Sequence, residues 1–186
     1  MIGKKNIVFG FIYLATTAAL GGVMIDMYAD YGKAAQEKQA SVGRLQSLKT
    51  SGFEEELEPL SAMQIARANT DGILALNKLT NTEIGIDSIK GGPHAHGNLE
   101  ALLNIAVGVV LGFLAVNVIL KQVISWLFIL GALLHSGMLY LERVFDMAWA
   151  GTVLASGIGP YMILAGLLLT GIVAIKGFQG EVVSDK

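Results

Sequence analysis

Four apolar stretches constrain this chain more than any other feature. They run from about Asn6 to Met27, Leu99 to Leu120, Val123 to Leu141 and Trp149 to Ile175. Crossing about 30 Å of hydrocarbon takes roughly 20 helical residues, and each stretch comes close to that length or exceeds it. Lipid offers backbone amides and carbonyls no water partner, so such segments fold as helices. Only 15% of the residues are charged, against roughly a quarter in soluble domains. The fold class expected is all-α: an integral membrane four-helix bundle with a helical extracytoplasmic cap. Only Lys121-Gln122 separates the second and third stretches, which predicts a tight antiparallel hairpin turning there.

The chain then divides into a first transmembrane helix (1–28), an extracytoplasmic helical segment (29–93), a transmembrane hairpin (94–142), a fourth transmembrane helix (143–176) and a cytoplasmic tail (177–186). Lys4 and Lys5 precede the first apolar run as they would in a signal peptide. Its length and the absence of a small-residue cleavage site at Asp26-Met27-Tyr28-Ala29-Asp30 favour a retained anchor. Lys4, Lys5, Lys121 and Lys176 fall on one side of a four-span topology, and basic flanks mark the cytoplasmic side. Both termini are therefore expected in the cytoplasm, in a prokaryotic inner membrane, with Arg143 alone on the outer flanks beside Glu142 and Asp146. Tyr28, Tyr31, Tyr140 and Trp149 suit the aromatic belt of the outer interface. In the outer segment, Lys33 to Leu48 reads as helix and Ser51-Gly52 as a break. Pro59 reads as the first turn of a second helix that Gly72 weakens, and Asn81 to Gly92 as turn-like.

The chemistry concentrates in three histidines. Pro93-His94-Ala95-His96-Gly97-Asn98-Leu99-Glu100 opens the second span, and His135 lies inside the third. Ionisable groups at membrane depth are costly and mark function by default. In a helix starting near Pro93, His96 and Glu100 share a face that Asn104 extends one turn inward. His135 lies roughly 9 Å below the outer end at 1.5 Å per residue, level with Glu100 and Asn104. It can pair with either of them directly, with His94 and His96 left as wet interfacial residues. Alternatively it faces His96 across a haem, or His94, His96 and His135 gather a copper or zinc ion. Gly97, Gly131, Ser136 and Gly137 leave room for a flat ring.

Other chemistries are excluded or lack residues. No cysteine is present, which removes disulfides, thiolate ligation, iron–sulfur clusters and covalent haem attachment. A net charge of −2 speaks against a nucleic-acid partner. No nucleophile–base pair, phosphate-binding loop or zinc-protease motif occurs. Gly108-x-x-x-Gly112 reads as a helix-packing motif, and Gly157-Ile158-Gly159-Pro160 as a kink or break in the fourth span.

The run from Pro93 to Asn104 is similar to the His-Ala-His helix openings of haem-copper oxidase and nitric oxide reductase relatives. It resembles more strongly the small four-helix membrane proteins related to styrene oxide isomerase, with an Ala-His opening followed by an Asn, and Gly137 to Tyr140 is similar to that group's Gly–aromatic segment. The resemblance implies haem b held by His96, a pocket lined by Asn104 and Tyr140, and ferric iron acting as a Lewis acid on an epoxide. The chain departs from that group in its longer His96–Asn104 spacing, its larger outer segment and the additional Glu100 and His135; the extra His135 would suit a six-coordinate, electron-transferring haem better than an open catalytic iron.

The sequence thus leads to a haem b protein of the membrane, an electron-transfer or accessory subunit of a redox complex. His96 and His135 would be its ligands, with Glu100 and Asn104 orienting an imidazole. Two rivals stand beside it: a haem isomerase with one histidine ligand, and a cofactor-free structural subunit. Partners expected are the lipid bilayer and other membrane subunits or further copies of the chain. No catalytic residue is assigned.

Overall fold

The structure, a computed structural model, describes residues 1–185, and apart from one two-stranded ribbon its regular elements are helical. Four helical runs are long and apolar enough to cross a membrane: Gly3–Thr50, Ala62–Phe113, Val118–Phe145 and Ile158–Gly177. The chain forms two units, one of Met1–Gly21 with the chain from Ser88 onward, the other Gly22–Asp87.

In the first unit α1 (Gly3–Ala18) lies antiparallel against α4 (Ala95–Phe113). Glycine sets the approach: a Cβ on Gly108 would fall 2.7 Å from the Gly3 carbonyl oxygen, and one on Gly10 would fall 2.7 Å from that of Ala101. Small residues admit this backbone proximity where apolar packing in lipid supplies no hydrophobic drive. α5 (Val118–Ala132) returns antiparallel to α4, and α8 (Ile158–Gly177) packs on α5. Val107, Leu111, Leu114, Ile124, Phe128 and Ile163 form the core between them.

The α4–α5 turn does not fall at Lys121-Gln122. α4 stops at Phe113, Leu114 is extended, and Asn117 caps α5 by accepting the Ile119 amide at 2.7 Å. Such a cap satisfies one of the amides a helix start leaves open. Lys121 is therefore inside α5, 1% exposed, and its ammonium donates to Asp185 at 2.6 Å. The fourth apolar stretch is broken as its glycine and proline foretell. α7 (Ala148–Ala155) ends before Gly157, whose φ of +67° admits glycine freely, and α8 begins at Ile158 with Pro160 in its first turn.

The second unit holds most of α2 (Leu20–Thr50), the ribbon β1 (Glu54–Glu55) and β2 (Glu58–Pro59), and α3 (Ala62–Ile89) up to Asp87. Its buried and half-buried positions follow a seven-residue pattern. They include Met24, Met27, Tyr31, Ala34, Lys38, Ser41, Leu45 and Leu48 on α2, and Ile65, Ala68, Gly72, Ala75, Leu79, Thr82 and Ile86 on α3, with Ala35, Val42 and Gly85 flanking that line. This 3–4 spacing is the seam of an antiparallel coiled coil, and Lys78 closes on Glu37 across it at 2.5 Å. Gly72 sits in that seam against Leu45, within an unbroken helix. Asn81 to Ile89 is helical rather than turn-like, because the seam continues through Thr82 and Ile86. Pro59 belongs to the ribbon, and the second helix starts instead with Ser61. The Ser61 amide donates to Gln64 Oε1 at 2.9 Å and its hydroxyl accepts the Gln64 amide at 3.3 Å, a reciprocal capping box.

Candidate metal centre

Two departures from α-helical geometry shape the site. Lys90–His94 forms a wide π turn in which Gly92 (φ −87°, ψ −111°) breaks the helix, so that α4 starts afresh at Ala95. Leu133–Gly137, following α5, forms a second π turn and continues into α6 (Met138–Phe145). Such turns carry one extra residue per loop and recur at functional sites. The second presents His135 and Ser136 toward α4. α8 leaves the turn room, since a Cβ on Gly159 would fall 2.6 Å from the His135 amide nitrogen.

Glu100, 4% exposed, accepts from His135 Nδ1 at 2.5 Å through one carboxylate oxygen and from the Ser136 hydroxyl through the other. The His96 ring lies 4.8 Å from the His135 ring, centroid to centroid, tilted by 59°. One ligating atom from each of His96, Glu100 and His135 falls within 4.8 Å of the others. His96 is exposed, His135 half-buried and Glu100 buried. The Glu100 contact occupies Nδ1 of His135 and leaves Nε2 as the nitrogen that could bind an ion, an arrangement recurrent around metal-bound imidazoles.

The remaining expected site residues lie apart from this group. His94 turns to α1, its Nδ1 3.0 Å from the Thr17 carbonyl. Asn104 touches no imidazole: its amide donates to the main-chain carbonyls of Glu100 at 3.0 Å and Phe128 at 3.2 Å and accepts from Asn6 at 3.0 Å. Asn6 completes the group by accepting from the Ser125 hydroxyl. Asn104 therefore holds the backbone beneath Glu100. Tyr140 packs beside Phe145 at 5.7 Å and borders an apolar cavity that Tyr13 also lines.

Sequence reasoning missed α1's contribution. Tyr13 meets the Ser136 hydroxyl at 2.8 Å, and Thr17 donates to Asn98 at 2.8 Å. The available signal was Gly3, Asn6, Gly10, Tyr13 and Thr17, small or polar residues recurring every three or four positions along one face of an apolar helix.

His96 and His135 taken together suit a shared metal ion better than a macrocycle held between them. A metal-bound imidazole nitrogen sits about 2 Å from the ion, so rings on opposite faces of a haem have centroids roughly 6 Å apart, with the porphyrin between them. At 4.8 Å, His96 and His135 as packed do not accommodate a ring between them. No family model, curated protein or solved structure matches the chain. The likeness to haem isomerases stands on the sequence motifs Pro93 to Asn104 and Gly137 to Tyr140 alone.

Proposed function

We propose that the chain is an integral membrane protein whose four apolar helical runs hold a non-haem metal ion, zinc or copper, near the extracytoplasmic face. His96 and His135 supply imidazole nitrogens, which suit both metals. Glu100 orients His135 or joins the coordination shell as the ion requires. The observation that carries this reading is the 2.5 Å contact from His135 Nδ1 to Glu100, which points the other ring nitrogen away from the carboxylate in the company of His96. Lys4, Lys5 and Lys176 favour cytoplasmic termini, which puts the histidines on the opposite side of the bilayer. A redox role follows for copper, and a structural or Lewis-acid role for zinc.

Metal analysis and an absorption spectrum on one detergent-purified sample test this. One equivalent of zinc or copper, lost in both His96→Ala and His135→Ala, supports it. A Soret band restores the haem reading, with His96 the accessible ligand. A colourless protein that takes up neither metal when dialysed against it overturns the proposal in favour of a cofactor-free subunit.

A further inference from the structure

An apolar cavity of about 210 Å³ lies beside the metal centre, between α1 and the start of α6, bounded by Tyr13, Thr16, Leu133, Gly137 and Tyr140. Cavities of ~150 Å³ hold a benzene ring, so this one has the size of a substituted six-membered ring. One wall carries the Tyr13 hydroxyl. Gly137 presents no side chain there, and a Cβ on it would come 3.4 Å from that oxygen.

Hydrogen-bond direction specifies what the cavity would hold. The Glu100 carboxylate only accepts, and it accepts from His135 Nδ1 and from Ser136. The single Ser136 proton is thereby committed, so Ser136 accepts from Tyr13 at 2.8 Å. The Ala132 carbonyl at 3.4 Å is the only other acceptor for the same Tyr13 proton among the described residues. With the Ser136 proton spent on Glu100, the phenol oxygen keeps its lone pairs, and no donor other than Ser136 reaches it among the described residues. The chain of donors runs from the cavity toward Glu100, and its open end is an acceptor.

We propose that this cavity binds the hydroxyl-bearing ring of a lipid-soluble phenol or alcohol, whose O–H donates to the Tyr13 oxygen. Tyr13 and Ser136 then connect the bound hydroxyl to the carboxylate that orients His135. The inference adds a ligand class to the metal-centre reading, but the binding step itself needs no metal.

The test uses the full chain in lipid nanodiscs with fluorine NMR of para-fluorophenol and of its methyl ether para-fluoroanisole, before and after treatment with EDTA. One hydrogen bond separates the two probes, so the phenol should bind roughly threefold to tenfold more tightly. Tyr13→Phe should erase that preference, and Gly137→Leu should abolish binding of both probes. If Gly137→Leu does not fold, Tyr13→Phe, which keeps the ring, carries the test. Equal affinity for the two probes, a preference that survives in Tyr13→Phe, or binding of neither overturns the proposal. A preference unchanged in a protein that holds no metal with or without EDTA counts against the metal centre alone. A metal-loaded protein without the preference counts against the ring site alone.

Discussion

Glu100 and His135, 35 residues apart in sequence and on antiparallel segments, meet through a 2.5 Å contact that the geometry on both sides serves. On one side α4 restarts after Gly92 and brings Glu100 round to face the bundle. On the other, a π turn swings His135 and Ser136 to the same carboxylate. A buried carboxylate needs such partners, because an unpaired one is expensive.

Glu100→Gln should therefore leave the helices in place while weakening metal binding by about 10- to 100-fold, the usual cost of losing a carboxylate behind a metal-bound imidazole. Competition against a chelator of known affinity measures this, and circular dichroism checks the fold. Asn104→Ala should act differently. It removes a clamp on the Glu100 and Phe128 carbonyls, so it should lower stability by about 1–3 kcal/mol and metal affinity only through that loss.

The α1–α4 contact predicts a sharp difference between glycines. Gly108→Val drives a side chain into the Gly3 carbonyl and the Ile7 backbone, and overpacking of this kind costs about 1–3 kcal/mol. Gly171 on α8 has open space where its side chain would stand, so Gly171→Ala should be neutral or stabilising by up to about 1 kcal/mol. Thermal melts followed by circular dichroism separate the two.

How much of this was legible follows from what each residue's partner is. Long apolar runs declare helices by themselves, and the alignment of Glu100 with His135 followed from their depths. Lys121 misled, because a lysine between apolar runs reads as a turn at the membrane surface. Its charge is instead matched by Asp185, 64 residues away, and the turn falls at the Asn117 cap. Asn81 to Ile89 misled through composition: a coiled-coil seam with small residues such as Ala75 and Gly72 outweighs asparagine and glycine propensity. Tyr13 was hidden because its partner is presented by a π turn, which shifts Ser136 off the face that regular helical spacing assigns.

The ribbon tip predicts a stabilising change. Glu56 and Leu57 form its two-residue loop with φ of +53° and +67°, the pattern of a type I′ turn, which favours Asn-Gly. Left-handed geometry costs an ordinary residue roughly 1–2 kcal/mol, and Leu57 has no compensating burial at 93% exposed. Glu56→Asn combined with Leu57→Gly should slow amide exchange at Leu60, whose N–H bonds the Phe53 carbonyl at 2.9 Å. An unchanged Leu60 exchange rate would show that the loop strain is relieved elsewhere.

The Lys121–Asp185 pair predicts both an acid threshold and a rescue. Partial burial pushes the Asp185 carboxyl upward, but hydrogen bonds from Lys121 and the Ile2 amide, with the positive charges of Lys121 and the amino terminus, outweigh it. Its folded pKa thus lies below the ordinary value of 3.8. A depressed carboxylate pKa contributes stability that is complete above the unfolded value and is lost as pH falls through the folded one. The C-terminal strap, held also by the Val183 amide on the Gly112 carbonyl at 2.8 Å, should therefore stay in place above about pH 4 and loosen only below that, read as faster Val183 exchange. Asp185→Ala removes the carboxylate at every pH and leaves Lys121, 1% exposed, without its counter-charge, a loss of about 3–5 kcal/mol for a fully buried pair and less here, because the strap end can admit water. Adding Lys121→Met removes the orphaned charge while keeping the volume, so the double variant should be more stable than Asp185→Ala alone. A double variant as unstable as the single one would mean that the strap, rather than the buried charge, is what Asp185 holds.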